Sequence, residues 1–307
     1  LTTLDVLANS KLTYFYCSNN QLSILNLSNN PALYFLDFHG NNLTEIDISV
    51  QTTLVSLSCN SNFLSELDVS QNTNLLYLWC SGNGLTELDV SLNTELKDLR
   101  CGSNALSALD VSLLPKLEIL YCSSNTLTAL DVSVNASLEK LDAGDNDLSS
   151  LDVSNNPLLT WITCPSNSLT DIDLRNGNQE SIADIDFEDN PALTCVSVDD
   201  VTYAETNWAD DFDPGVTFSL NCHPDPLVID EVAVSDVTGC FGDANGQIVI
   251  TASGGVGSLQ YSTDNGLSYQ ASDTLRNLPA GSYDVVVKDE EGDSVIGTVL
   301  TTGDSEL

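Results

Sequence analysis

The sequence predicts a right-handed, β-rich solenoid of short repeats with little helix, closed by a C-terminal cap and followed by a small all-β domain. Three observations lead there: leucines that recur every 21 residues, alternation of apolar and polar residues in the first half of each repeat, and a change of texture after residue 222. Of the 307 residues, repeats are expected over 1–194, a cap over 195–222, a linker over 223–227 and the β domain over 228–307.

Leu12, Leu33, Leu54, Leu75, Leu96, Leu117, Leu138 and Leu159 mark the starts of the repeats. From each start the pattern is L-x-x-[LIF]-x-[CFA]-x-x-N-x-L-[ST]-x-[LI]-[DN]-[LIV]. One such coil cannot bury its own apolar edge, whereas stacked coils share one core. Alternation in the first half places the fourth and sixth residues inward on a parallel strand and the third, fifth and seventh outward. The second half, L-x-x-L-D-V-S, is too short and β-branched for a helix, so a second extended segment is expected on the convex side. Leu1 to Val6 has the pattern of that second half, which suggests a chain cut from a longer parent, any signal peptide lying in the removed part.

Apolar residues at places one, four and six, Asn at nine and Leu at eleven, as in Leu96–Leu106, are the signature of a leucine-rich repeat. With Cys at place six and the L-T-x-L-D-V-S second half, the chain resembles the short leucine-rich repeats of secreted Bacteroidetes proteins over about residues 1–222. That resemblance implies a leucine-rich-repeat solenoid and a secreted, bacterial cell-surface role.

Three columns run down the repeats. Asn20, Asn41, Asn62, Asn83, Asn104, Asn125, Asn146, Asn167 and Asn190 read as structural, because an amide can both donate to and accept from the turn that leaves the strand. Cys17, Cys59, Cys80, Cys101, Cys122 and Cys164 share an inward slot with Phe38 and Ala143. That interchange marks a modest apolar filler, so free core thiols are expected, although strand spacing does not exclude bridges between coils. Asp5, Asp47, Asp68, Asp89, Asp110, Asp131, Asp152 and Asp173 form a column that Asn26 interrupts. Hydrogen bonding to local amides and Ser or Thr is the expected compensation. Cation binding is the alternative, with calcium the cofactor to consider although none is required, and Asp210-Asp211-Phe212-Asp213 the nearest loop.

After Asp173 the rhythm breaks into a longer excursion and a divergent last coil. The polar, aromatic stretch from Cys195 to Cys222 reads as the lid that an exposed solenoid end needs, with a disulfide between these two cysteines. His223-Pro224-Asp225-Pro226 reads as a stiff linker. Beyond it Cys240-Phe241-Gly242-Asp243-Ala244-Asn245-Gly246, Ser253-Gly254-Gly255, Tyr261-Ser262 and Leu278–Asp289 resemble the SprB repeat, an Ig-like module of bacterial gliding and surface adhesins. The resemblance implies an Ig-like sandwich. Asp293 follows Gly292 where that family usually has a second Cys, which leaves Cys240 without its customary partner.

Composition limits the function. Eight Lys plus Arg against 45 Asp plus Glu give a formal net charge of −37, so nucleic acids and anionic membranes meet a like-charge field. No run of eighteen apolar residues suggests direct membrane insertion. Two His and no C-x-x-C pair offer little for a metal centre. His39 lies near Asp37, but no nucleophile motif accompanies it, so no enzyme is expected.

The outward strand positions are where binding residues are expected. They carry Tyr14, Tyr16, Phe35, Tyr77, Trp79, Tyr121 and Trp161, together with His39, Arg100 and Lys140, three of the few basic or titratable groups. Aromatic rings with interleaved polar groups suit a protein partner or a glycan. Cross-strand packing alone would explain Tyr14 and Tyr16. The candidate ligand-binding set on the concave face is therefore Phe35, His39, Tyr77, Trp79, Arg100, Tyr121, Lys140 and Trp161. The expected function is a non-enzymatic extracellular recognition or adhesion protein; the alternatives are a structural stalk without its own ligand, calcium-dependent adhesion, or an ice-binding surface built on the regular Ser/Thr column.

Overall fold

A computed structural model describes residues 1–222, 227–237, 244–290 and 292–301. The chain separates into two compact units, Leu1–Ser219 and Leu220–Leu307. Cys240 and linker residues 223–226 lie outside the described residues.

The first unit is a β-solenoid. Its strands are three residues long: β1 (Tyr14–Tyr16), β2 (Phe35–Asp37), β3 (Ser56–Ser58), β4 (Tyr77–Trp79), β5 (Asp98–Arg100), β6 (Ile119–Tyr121) and β7 (Lys140–Asp142). There follow β8 (Ser150–Asp152), β9 (Trp161–Thr163), β10 (Asp171–Asp173), β11 (Asp184–Asp186), β12 (Cys195–Ser197) and β13 (Thr217–Ser219). A nine-stranded parallel sheet runs β1-β2-β3-β4-β5-β6-β7-β9-β11, and a four-stranded one runs β13-β12-β10-β8. From β1 to β9 the register in the first sheet advances by one repeat per strand, so that Trp79, Arg100 and Tyr121 stand side by side.

The central residue of every solenoid strand is apolar and packs into or against one continuous core that runs from Val6 to Phe212. Three residues after each strand of the nine-stranded sheet a left-handed residue turns the chain. Asn19, Gly40, Ser61, Gly82, Ser103, Ser124, Asp145, Ser166 and Asp189 all have φ between 51° and 69°. Next to each of them sits the Asn column. Asn62 Nδ2 donates to Cys59 O at 3.0 Å and to Phe38 O at 3.2 Å in the preceding coil, while its Oδ1 accepts from Leu43 N at 3.1 Å. Each amide thus satisfies backbone groups that burial would otherwise orphan.

A second amide row lies in the opposite corner. Asn30, Gln51, Asn72, Asn93, Asn135 and Asn156 are fully buried and donate to backbone carbonyls one coil back, as Asn93 does to Val69 O at 3.1 Å and Asn72 O at 2.9 Å. Their own side-chain carbonyls meet no donor among the described residues.

The second half of the coils forms a ladder only from Ser150 onward, where β8 pairs with β10 and β10 continues into β12 of the cap. In earlier coils the amides are used otherwise: Leu43 N meets Asn62, and Ser49 N meets Asp47 Oδ1 at 2.9 Å. This Asp–Ser turn recurs at Asp68, Asp89, Asp110, Asp131 and Asp152, which is the local compensation expected for the acidic column.

β12, helix α1 (Val201–Asn207) and β13 end the solenoid. Asp200 caps α1 by accepting from Tyr203 N at 2.9 Å. Trp208 and Phe212 are buried over the last coil, and the Phe212 ring stacks on Phe187 at 5.2 Å. Asp213, the last acid of the loop considered for a cation, instead accepts from Asp189 N and Asn190 N, so its carboxylate is committed to closing the final turn. Among the described residues no group of three or more His, Cys, Asp or Glu is placed to hold a metal ion.

The six ladder cysteines are free and buried. Burial raises all six thiols, Cys17 to about 11 and Cys59 to about 12. Cys195 and Cys222 are disulfide-bonded.

The second unit holds two antiparallel three-stranded sheets, made from β14 (Val228–Ser235), β15 (Gly246–Ser253), β16 (Gln260–Ser262), β17 (Thr274–Leu278), β18 (Gly281–Lys288) and β19 (Ser294–Thr301). Their orders are β14-β15-β17 and β16-β18-β19. Alternation drives Ile248, Ile250, Leu275, Val285 and Val287 into the core. Among the described residues of the chain no helix is long and apolar enough to cross a membrane.

Candidate binding face

The outward residues of the nine-stranded sheet form two aromatic groups separated by the serines of β3. At the β1 end Tyr14 stacks on Phe35 with ring centroids 5.1 Å apart, and Tyr34 meets Phe35 edge-on at 5.0 Å. Tyr14 is therefore held by cross-strand packing, while Tyr16 is 64% exposed. Tyr34, 41% exposed, belongs to this group although it precedes its strand, and the outward-position rule passed over it.

The second group is built around one guanidinium. Register places Arg100 between Trp79 and Tyr121, and its Cζ lies 5.0 Å from one ring centroid and 4.9 Å from the other. Its edge is fixed by Asp98: Nε to Oδ1 is 2.9 Å, and Nη2 to Oδ2 is 2.9 Å. These bonds raise the Arg100 pKa above the usual guanidinium value. A clamped cation between two rings is held in one orientation, which removes much of the entropy that a free arginine loses on binding. Tyr121 then leans on Trp161, two strands away, with centroids 5.4 Å apart and planes at 52°. Burial raises the Tyr121 hydroxyl pKa, so it stays a neutral donor at physiological pH.

Two outward positions differ from expectation. Asp98 is only 5% exposed and Ser58 only 6%. Alternation fixes the direction of these short side chains but not what covers them, and Arg100 folds back over Asp98. Trp79, Tyr121 and Trp161 form one group: Arg100 links the first two, and the last two are in ring contact.

The remaining candidates stand apart. Lys140 is exposed and pairs in register with Trp161. Tyr77, 36% exposed, borders Asp98 on the neighbouring strand. His39 sits in a separate polar network, with Nδ1 2.7 Å from Asp37 Oδ1 and Nε2 2.9 Å from Asn19 Nδ2. Both ring nitrogens are engaged, so His39 has no lone pair directed at a nucleophile or a metal.

No protein-family model and no curated protein matches the chain. Solved structures do. The functional domain of InlJ from Listeria monocytogenes, which includes a cysteine ladder, is 26% identical, with a TM-score of 0.61 over 99% of this chain and 79% of that one. A leucine-rich repeat protein of Leptospira interrogans is 17% identical, with a TM-score of 0.51 over 70% of this chain and 68% of that one, a likeness of fold. This chain too carries a column of cysteines, of which Cys59, Cys80, Cys101 and Cys122 are buried in four successive coils.

Proposed function

We propose that this chain is a non-enzymatic extracellular recognition module that binds a protein partner through the sheet face, with the Trp79–Arg100–Tyr121–Trp161 array as its anchor. The observation that carries this reading is the clamped guanidinium. Tryptophan, tyrosine and arginine are the residues that most often dominate protein interfaces, and here they are contiguous and preorganised on rigid strands. Tyr77 and Lys140 border this array, while Phe35 and His39 lie on the far side of the β3 serines and would meet only a partner that spans both groups. A glycan fits this array less well, because stacking a sugar needs open ring faces and Arg100 occupies one face each of Trp79 and Tyr121. No cofactor is required.

A secreted or cell-surface location on the outer face of a bacterium accords with the disulfide-bonded Cys195 and Cys222, since such bonds form and persist chiefly in oxidising compartments. The second unit, which resembles the SprB repeat, then serves as an Ig-like spacer.

The test is a parallel screen of the labelled chain and its Arg100→Ala/Trp161→Ala variant on an array of extracellular protein domains and on a glycan array. Protein hits that vanish with the variant support the reading. Hits confined to glycans, or unaffected by the substitutions, overturn it, and no hit on either array leaves the stalk alternative in its place.

A further inference from the structure

The flank formed by the second halves of the early coils carries a feature unrelated to the sheet face. A trough of about 310 Å³ lies across the coils from Glu45 to Leu92. It continues through Glu45, Ile46 and Glu66 into a neighbouring hollow of about 470 Å³ that reaches Ile24. Its floor is apolar, made by Ile46 and Leu67, and exposed aliphatics stand at its two ends: Ile24, 76% exposed, and Leu92, 55% exposed.

Two rows of carboxylates edge this floor. In each of three successive coils a Glu and an Asp flank the inward residue: Glu45 and Asp47, Glu66 and Asp68, Glu87 and Asp89. In an extended segment such i and i+2 residues share a side, so the repeat stacks both rows. The Asp row is fixed by its serines and stays ionised, since those hydrogen bonds hold each carboxyl below the usual range. Asp68 also feels the charges of Asp47 and Asp89. None of the ion pairs among the described residues involves these six groups.

An apolar floor between unneutralised acid rows is complementary to one kind of occupant. Lysine and arginine lay aliphatic stems on apolar surface and place a cation at its rim. A small divalent ion does not suit the site, because each Asp already spends one oxygen on a serine amide and no three carboxylates converge. We propose that this trough is a second docking surface, for a protein segment that alternates basic and apolar residues. The surface is distinct from the sheet face, so either can fail without the other.

The experiment uses the full chain and a fluorescein-labelled dodecapeptide of alternating lysine and leucine, with anisotropy read in 0.15 M salt. Glu45→Gln/Glu66→Gln/Glu87→Gln removes three trough charges, and Asp147→Asn/Glu180→Gln/Glu205→Gln removes three exposed charges elsewhere. All six side chains are exposed, and circular dichroism verifies that both variants keep the fold. The trough variant should weaken binding roughly tenfold and the control less than about twofold, as expected for three exposed ion pairs. A peptide with serine in place of leucine should bind at least about threefold more weakly, from loss of apolar burial on the floor. Equal loss in both variants, loss in neither, indifference to the leucines, or dependence on added calcium would each overturn the proposal.

Discussion

Arg100 and Asp98, two residues apart on one strand, form a bidentate pair in which the carboxylate is the buried member and the guanidinium the exposed one. Asp98 is 5% exposed, whereas the Arg100 side chain is 37% exposed. The two substitutions that break the pair are therefore unequal. Arg100→Met strands a buried carboxylate and should cost about 2–3 kcal/mol, whereas Asp98→Asn leaves a cation that water still reaches and should cost about 1 kcal/mol. Urea unfolding of both variants at pH 7 measures the asymmetry, and equal costs would mean that Asp98 is solvated.

The amide column makes a sharper demand on stability. Asn62→Leu keeps the volume but leaves Phe38 O, Cys59 O and Leu43 N without their partner. The expected loss is about 2–4 kcal/mol, seen as a lower urea midpoint. Asn42→Leu, at an exposed side chain, should change stability by less than about 0.5 kcal/mol.

The left-handed residue that follows each strand of the nine-stranded sheet gives a test of backbone conformation alone. Ser103 has φ 53° and an exposed side chain, so its replacement touches no packing. Ser103→Val should cost about 1–2 kcal/mol, and Ser103→Gly should be neutral or stabilising. Thermal unfolding of the pair reads the difference, and similar Tm values would contradict the assigned turn.

The cysteine ladder predicts an alkaline limit. Burial raises the thiols above their unfolded value of 9.0, with Cys59 at about 12. The folded state thus holds protons that the unfolded chain has released. Stability is full below pH 9 and falls as pH rises from 9 towards 12. Urea midpoints at pH 8, 9 and 10 should decline, and Cys80→Ala/Cys101→Ala should flatten that decline despite its own packing cost.

Much of this architecture was legible in the leucine spacing. Leu12 and its successors place the strands of the first sheet from β1 to β9, most of the Asn column and the buried thiols, because periodic burial leaves little freedom at those positions. Trp79, Arg100 and Tyr121 are likewise one repeat apart, so their adjacency follows from the register. What spacing cannot reveal is which side chain folds over which. Asp98 reads as outward and is covered, because alternation gives direction and not the rotamer of Arg100. The second amide row, Asn30 through Asn156, and the left-handed column before each Asn were present at the same period, masked by a pattern that ended before the first and left the other as an unspecified position. The Glu45–Glu66–Glu87 row was hidden in a variable place, where only the trough around it gives it meaning.

The claim that the sheet face is the recognition surface is tested most directly by one ratio of affinities. For a protein partner identified on the extracellular array, Kd is measured for the unaltered chain and for Tyr121→Ser/Trp161→Ser, two half-buried rings whose loss leaves Asp98 and Arg100 paired. Loss of two anchors should weaken binding about 30-fold or more. A Kd within about twofold of the unaltered chain would place the partner elsewhere and contradict the account.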